Sequence, residues 1–241
     1  MKTFYAQQGE DVFIWQNFIN LRCPDGIFVE IGAYDGLTYS NTKFFEDEFS
    51  MQGVLIEPSA RFAQLKQNRP NCDCYQLAVG YEAGKIRFLG HDATAGAIAT
   101  MTESFRKAWH TNSVEYEMDS LPFGQILEKS HVKYIDLLSI DVEGGELMVL
   151  KTMNWEIPVY IVVIELDGYN QEKDEQCRNI LRERGFVFSK RININEFWWN
   201  PHYHRKHLLY QASNTVPTSF DEMRFLYLEP HVRPEIEKAL K

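Results

Sequence analysis

Two short stretches of this chain set acids and glycines where chemistry is done. The first is Asp141-Val142-Glu143-Gly144-Gly145-Glu146, in which two carboxylates one residue apart end an apolar run and precede a glycine pair. Carboxylates in that position can take a proton, orient a hydroxyl or hold a cation, and burying them without a role is costly. The second is Ile27-Phe28-Val29-Glu30-Ile31-Gly32-Ala33-Tyr34-Asp35-Gly36, an apolar β-prone run that carries one acid and breaks into two glycines. It reads as a buried strand feeding a tight turn where a ligand can approach the backbone. Glu57 ends the next apolar run, where an acid can accept both hydroxyls of a ribose. A nicotinamide fingerprint needs a third glycine, and Ala33-Tyr34 replace that geometry, so a pyrophosphate has no evident seat.

The elements that must position these groups alternate along the chain. A helix in the first twenty residues carries Ile14, Trp15, Phe18 and Ile19 inward, with Glu10 and Asp11 favourably near its start. After the turn Pro24-Asp25-Gly26 comes the strand 27–31, then a helix over 38–49 bringing in Phe44, Phe45 and Phe49. The run Gly53 to Glu57 is a second strand stopped by Pro58, and Ser59 can cap a helix with Phe62 and Leu65 inside. A third strand is expected over Cys72 to Val79, and an extra one over Lys85 to Leu89 outside the core order. Residues 90–119 read as a long connection with a partial helix. A short helix ending at Lys129, a strand over Tyr134 to Val142, a helix carrying Leu147, Leu150 and Met153, and a strand over Val159 to Leu166 follow. The helix Gln171 to Arg184 stops at Gly185, and two strands, Phe186 to Arg191 and Leu208 to Gln211, flank an aromatic and histidine-rich loop. This alternation predicts an α/β fold with a doubly wound, mostly parallel sheet. It also predicts one domain: an N-terminal extension and helix over 1–25, a core over 26–212 and a tail over 213–241.

Composition sets outer limits. The chain is 44% hydrophobic and 24% charged with a formal charge of −9, which argues against broad nucleic-acid binding. No apolar stretch approaches the ~20 residues that span a bilayer, and the first residues turn polar before a signal-peptide core could form. Cys23, Cys72, Cys74 and Cys177 match neither a zinc pattern nor a disulfide framework, so reduced thiols in the cytoplasm are expected.

A nucleoside ligand that uses one glycine turn without a pyrophosphate is S-adenosylmethionine, and the Glu30–Gly36 run resembles the first motif of class I methyltransferases. The block Asp136-Leu137-Leu138-Ser139-Ile140-Asp141-Val142-Glu143-Gly144-Gly145-Glu146 is similar to the signature of the FkbM-type methyltransferase family. Tyr5-Ala6-Gln7-Gln8-Gly9-Glu10-Asp11 resembles that family's opening, with Ala6 where serine is usual, and Ser120-Leu121-Pro122 departs from its Thr-Leu-Asp. The resemblance runs in order from Gly26 to about Leu166. It implies a Rossmann-like, seven-stranded class I methyltransferase fold and an S-adenosylmethionine-dependent O-methyltransferase acting on a sugar, glycan or secondary-metabolite hydroxyl. Gln7, Glu30, Gly32, Ala33, Asp35, Gly36, Glu57 and Asp141 would surround the cofactor.

Asp141 is expected near the acceptor, with Glu143 as a positioning partner or base, since an aliphatic hydroxyl gains from a base or a metal. Acids also end the next strand, and Asp141, Glu165 and Asp167 together would suit a divalent cation, although the sequence identifies no complete ligand set. In the segment Asn195 to His207, Trp198 and Trp199 could stack on a sugar while His202 or His204 supplies a base. Methylation of nucleic-acid amino groups is disfavoured, because no Asn/Asp-Pro-Pro-aromatic motif stands at the strand end. Two other classes remain open: an NAD-dependent oxidoreductase, and a catalytically inactive cofactor-binding partner protein.

Overall fold

The computed structural model describes residues 1–22, 24–91, 93–203, 223–234 and 238. In chain order, strand β1 (Lys2–Phe4) leads to helix α1 (Glu10–Asn17), where Val12, Ile14 and Trp15 turn inward. Strand β2 (Ile27–Ile31), helix α2 (Lys43–Phe49), strand β3 (Gln52–Ile56), helix α3 (Phe62–Asn68) and strand β4 (Asp73–Tyr75) form the first winding. An insertion follows, with β5 (Ala78–Val79), β6 (Gly84–Leu89), β7 (Gly96–Ala97), α4 (Glu103–Trp109) and β8 (Glu115–Leu121). The second winding runs through α5 (Phe123–Lys129), β9 (Ile135–Ile140), α6 (Glu146–Thr152), β10 (Val159–Glu165) and α7 (Gln171–Glu183). A hairpin of β11 (Val187–Ile192) and β12 (Asn195–Trp199) closes the core, and β13 (Met223–Phe225) lies beyond it.

The main sheet has seven strands in the order β11-β12-β10-β9-β2-β3-β4. All its pairings are parallel except those of β12, which is antiparallel to both neighbours. The predicted doubly wound, mostly parallel, seven-stranded sheet is therefore what the chain forms. Its central strands read as continuous apolar runs because helices cover both faces. One face packs Phe123, Leu127, Val149 and Leu181 from α5, α6 and α7, and the other packs Trp15, Phe44, Phe45 and Leu65 from α1, α2 and α3. Phe44 is fully buried and stacks on Phe4 at 4.3 Å, so its truncation to alanine would cost about 3–5 kcal/mol.

Strand order reverses between β2 and β9. From β2 the chain winds outward through β3 and β4, then crosses back to β9. In open α/β sheets the crevice at that reversal, outside the carboxyl ends of the strands, is where ligands bind.

Three local expectations are corrected. The single strand over Cys72 to Val79 is two: β4 stays in the main sheet, while β5 leaves it to pair with β8 in a separate four-stranded sheet. The long connection over 90–119 is more ordered than its composition suggests, because β6 and β8 pair over six positions and hold it down. The aromatic segment is not a loop at its start. Asn193, with a φ of 51°, turns the chain so that Asn195–Trp199 enters the sheet, and Phe197 and Trp198 are buried. A tight turn through Asn at positive φ is a hairpin signal, and the adjacent tryptophans hid it. The predicted strand at Leu208 to Gln211 and His204 lie outside the described residues. Strand β1 near the N-terminus pairs in parallel with β13. Among the described residues no helix is long and apolar enough to cross a membrane.

Candidate functional site

At the reversal the strand ends are laced through their backbones. Gly32 N–H and Ala33 N–H donate to Ile56 O (3.0 and 3.2 Å), and Asp141 N–H donates to Ile31 O (3.0 Å). Gly32 has a φ of +84°, and a Cβ there would lie 1.7 Å from the Asp141 carbonyl oxygen. The glycine is thus required by the neighbouring strand's exit, as well as by any ligand.

A pocket opens over this junction. Its wall includes Glu30, Gly32, Ala33 and Glu57 on one side and Ser139, Asp141 and Glu143 on the other. Tyr34, Tyr39, Ser40 and Asn41 complete the first side, and Phe88, Ala93 and Ala95 of the insertion lean over it. Tyr34, Tyr39 and Glu143 all hold positive φ without being glycine (50°, 64° and 50°), backbone strain of the kind that collects at functional sites.

The acids on the β2–β3 side are satisfied. Glu30 accepts from Ser40 Oγ (2.9 Å), Thr42 Oγ1 (2.7 Å) and Asn41 N–H (2.8 Å), and the fully buried Arg69 guanidinium lies 3.7 Å away. Arg69 also pairs with Glu46 and donates to Gly36 O (3.1 Å). Glu57 accepts from Tyr34 N–H and Ser59 N–H, both at 2.7 Å; burial still raises its pKa. Asp35 accepts from Leu37 N–H (2.9 Å), Thr38 N–H (2.7 Å) and Thr38 Oγ1 (2.8 Å), which closes the turn after Gly32.

The acids on the β9–β10 side are crowded. One carboxylate oxygen from each of Asp141, Glu143 and Glu165 lies within 4.8 Å of the others. Burial raises Asp141 to about 6, with a hydrogen bond from Glu165 opposing the rise. Glu143 goes to about 9 through burial and then the charges of Asp141 and Glu146. Glu165 is held well above the carboxylate range by burial and by the Asp141 and Glu143 charges. Carboxyls this close cannot all ionise without a cation, so they share protons or would take one. Hard oxygen donors at this spacing fit a divalent cation such as magnesium or calcium. Asp167, expected in that set, is outside the trio; its Oδ1 accepts from Tyr169 N–H (2.9 Å).

Five of the residues predicted around the cofactor line the pocket: Glu30, Gly32, Ala33, Glu57 and Asp141. Gln7, Asp35 and Gly36 do not. Gln7 Nε2 donates to Glu229 (2.8 Å), and Gly36 packs against Arg69 and Leu65. Glu10 and Asp11 stand in the first turn of their helix, as expected, and are buried there. Asp11 accepts from Tyr5 N–H (2.6 Å) and Ala6 N–H (3.1 Å), and Glu10 accepts from Asn195 Nδ2 (2.7 Å). Ala6 in turn bridges to Tyr39 on the pocket wall, so the opening motif acts as a strap on the site. His202 is exposed just beyond β12, and the buried Asp136 accepts from Ile27 N–H (2.8 Å) and Tyr203 OH (2.9 Å) as a structural tie. Sequence reasoning missed Tyr39, Ser40, Asn41, Phe88 and Ala95, which belong to no motif; the polar run Ser40-Asn41-Thr42 just before a helix was the available signal.

A family model described as the methyltransferase FkbM domain matches residues 30–188. Among solved structures, methyltransferase FkbM from Methylobacillus flagellatus is 15% identical at a TM-score of 0.47, over 73% of this chain and 44% of that one. The chain thus spans less than half the length of that methyltransferase. Fibrillarin from Aeropyrum pernix, solved with natively bound S-adenosyl-L-methionine, is 10% identical at a TM-score of 0.45, over 79% of this chain and 72% of that one. No curated protein matches the sequence.

Proposed function

The chain belongs to the FkbM methyltransferase family, and from that premise we propose that it moves the methyl group of S-adenosylmethionine to a hydroxyl of a sugar or secondary metabolite. The observation that carries this reading is the pocket at the strand reversal, with Glu57 on one wall and Asp141 and Glu143 on the other. Glu57 ends the second strand, where an acid can accept ribose hydroxyls, and its carboxylate is oriented by the N–H groups of Tyr34 and Ser59. Described basic side chains are absent from the lining, which suits a donor carrying a sulfonium cation.

The donor supplies an electrophilic methyl on a positively charged sulfur. The acceptor oxygen forms a bond to that carbon as the carbon–sulfur bond breaks, with the electron pair going to sulfur. Asp141 or Glu143 would take the hydroxyl proton, and a cation held by the trio would favour their ionised forms. In-line placement of oxygen, carbon and sulfur supplies much of the rate, so the rigid strand ends matter as much as the base.

The trio Asp141, Glu143 and Glu165 would hold a divalent cation, which would lower the pKa of an acceptor hydroxyl beside it. Turnover unchanged by exhaustive chelation would exclude that contribution. The reading as a whole is tested by calorimetry with S-adenosylmethionine, S-adenosylhomocysteine and NAD. We expect the first two to bind and NAD not to; NAD binding alone would overturn the proposal. Transfer of labelled methyl to a panel of glycans, absent in Asp141→Asn, separates an enzyme from a cofactor-binding partner protein.

A further inference from the structure

One stretch of the pocket wall is polar, buried and incompletely bonded. Glu30 and Ser139 are register partners on β2 and β9, so their side chains leave the same face of the sheet at the strand reversal. Asn41 bridges them. Its main-chain N–H donates to Glu30 Oε1 (2.8 Å), and its Nδ2 donates to Ser139 Oγ (3.0 Å). The preceding turn brings it there: Asp35 holds the N–H groups of Leu37 and Thr38, and Tyr39, at a φ of 64°, sends the chain back over the two strands. Glu30, Asn41 and Ser139 all line the donor pocket.

Their hydrogen-bonding capacity is unequally used. Glu30 accepts from Ser40, Thr42 and Asn41, with Arg69 3.7 Å away. Asn41 is 8% exposed, yet among the described residues its Oδ1 accepts no hydrogen bond. Ser139 is 1% exposed, and its hydroxyl, which receives Asn41 Nδ2, still has a proton to give. Buried polar atoms are nearly always paired, so an unpaired acceptor on the wall of a pocket marks a place for a ligand's donor group. Turning the amide over exchanges the two roles and still leaves one donor and one acceptor.

Glu57 marks the ribose end of the pocket, and Asp141 with Glu143 marks the end where the methyl leaves. The third part of the donor is an amino acid, with an ammonium and a carboxylate on one carbon. Such a group needs a hydrogen-bond acceptor and a hydrogen-bond donor side by side, which is what Asn41 and Ser139 present. We propose that Asn41 and Ser139 together seat the amino-acid end of the methyl donor, and that this pair distinguishes the whole donor from a thioether nucleoside lacking that end. The inference rests on the methyl-transfer reading and adds the residues that select for the amino acid.

The test titrates the full chain calorimetrically with S-adenosylhomocysteine and with 5′-methylthioadenosine, which keeps adenine, ribose and sulfur but lacks the amino acid. The unaltered chain should bind S-adenosylhomocysteine at least about tenfold more tightly. Asn41→Ala and Ser139→Ala should each weaken S-adenosylhomocysteine about tenfold and change methylthioadenosine by less than about twofold. Thermal melts check that the variants are folded, and Ser139→Ala, which removes a single oxygen, carries the test if Asn41→Ala is unstable. Equal weakening of both ligands would mean that the pair only shapes the pocket. That outcome, S-adenosylhomocysteine binding indifferent to the folded variants, or methylthioadenosine binding the unaltered chain as tightly as S-adenosylhomocysteine would each overturn the inference and leave the donor site standing. Failure of S-adenosylhomocysteine itself to bind would remove the methyl-transfer reading and the inference together.

Discussion

The two halves of the strand-end junction use the same side chain in opposite ways. On the β2–β3 half, Glu30, Glu57 and Asp35 are met by main-chain N–H groups and hydroxyls, and Arg69 lies 3.7 Å from Glu30. On the β9–β10 half, Asp141, Glu143 and Glu165 face one another, and the nearest buried ammonium, Lys173, is bound to Glu146. A carboxylate surrounded by donors builds structure, because its charge is compensated where it sits. A carboxylate surrounded by carboxylates keeps a free-energy demand for a proton or a cation, and that demand is what chemistry can use. One half therefore shapes the pocket, and the other is left to react.

The comparison breaks first at Asp141. Asp141→Asn is expected to lower kcat by about 10²–10⁴-fold, while the donor dissociation constant changes by less than about threefold and the melting temperature does not fall. Steady-state kinetics with calorimetry checks this; a loss of donor affinity matching the loss of rate would mean that both halves serve binding. Next is Arg69→Ala, which leaves Glu30 and Glu46 without their cation and should cost about 3–5 kcal/mol in chemical denaturation. A loss under about 1 kcal/mol would show that the β2–β3 acids do not depend on it.

A smaller effect appears in the pH dependence. The folded-state pKa values of Asp141, about 6, and Glu143, about 9, are raised, so the native state binds more protons than the unfolded chain above pH ~4. Their contribution to stability is present below that pH and is lost as pH rises through 6 and then 9. Buried Glu10 and Asp11, raised to about 8 and 7, act with the same sign. Scanning calorimetry should therefore find the protein less stable at pH 9 than at pH 5, and the double variant Asp141→Asn, Glu143→Gln should flatten part of that slope. Millimolar magnesium should raise the melting temperature more at pH 9 than at pH 5; equal shifts would argue against a cation at the trio. The smallest expected change is a gain. Glu165→Gln removes the cost of keeping that crowded carboxyl protonated in the fold and should stabilise it by about 1 kcal/mol at pH 8. Destabilisation instead would mean that Glu165 is held by an interaction stronger than the crowding.

Much of this was legible in the chain before it folded. The apolar runs ending in Glu30, Glu57, Asp141 and Glu165 marked strand ends because only a buried sheet explains such runs, and acids at their ends are too costly to be accidental. Asn195–Trp199 was not legible, since adjacent tryptophans suit a ligand-facing loop as well as a strand, and the turn at Asn193 decides between them. The strap made by Asp11 was not legible either. Asp11 and Glu10 looked like ordinary acids at a helix start, and nothing local says that Tyr5, Ala6 and Asn195 fold back onto them.

The sequence by itself determined the winding of strands and helices, the family and the identity of the strand-end acids, because these rest on local periodicity and on short motifs read along the chain. Only the tertiary structure decided which acids are satisfied and which are crowded, because that depends on partners distant along the chain, such as Arg69 beside Glu30 and Glu165 beside Asp141. It also decided why Gly32 is a glycine. Read along the chain, it makes room for a ligand; in the folded sheet, the carbonyl of Asp141 occupies the space where its side chain would be.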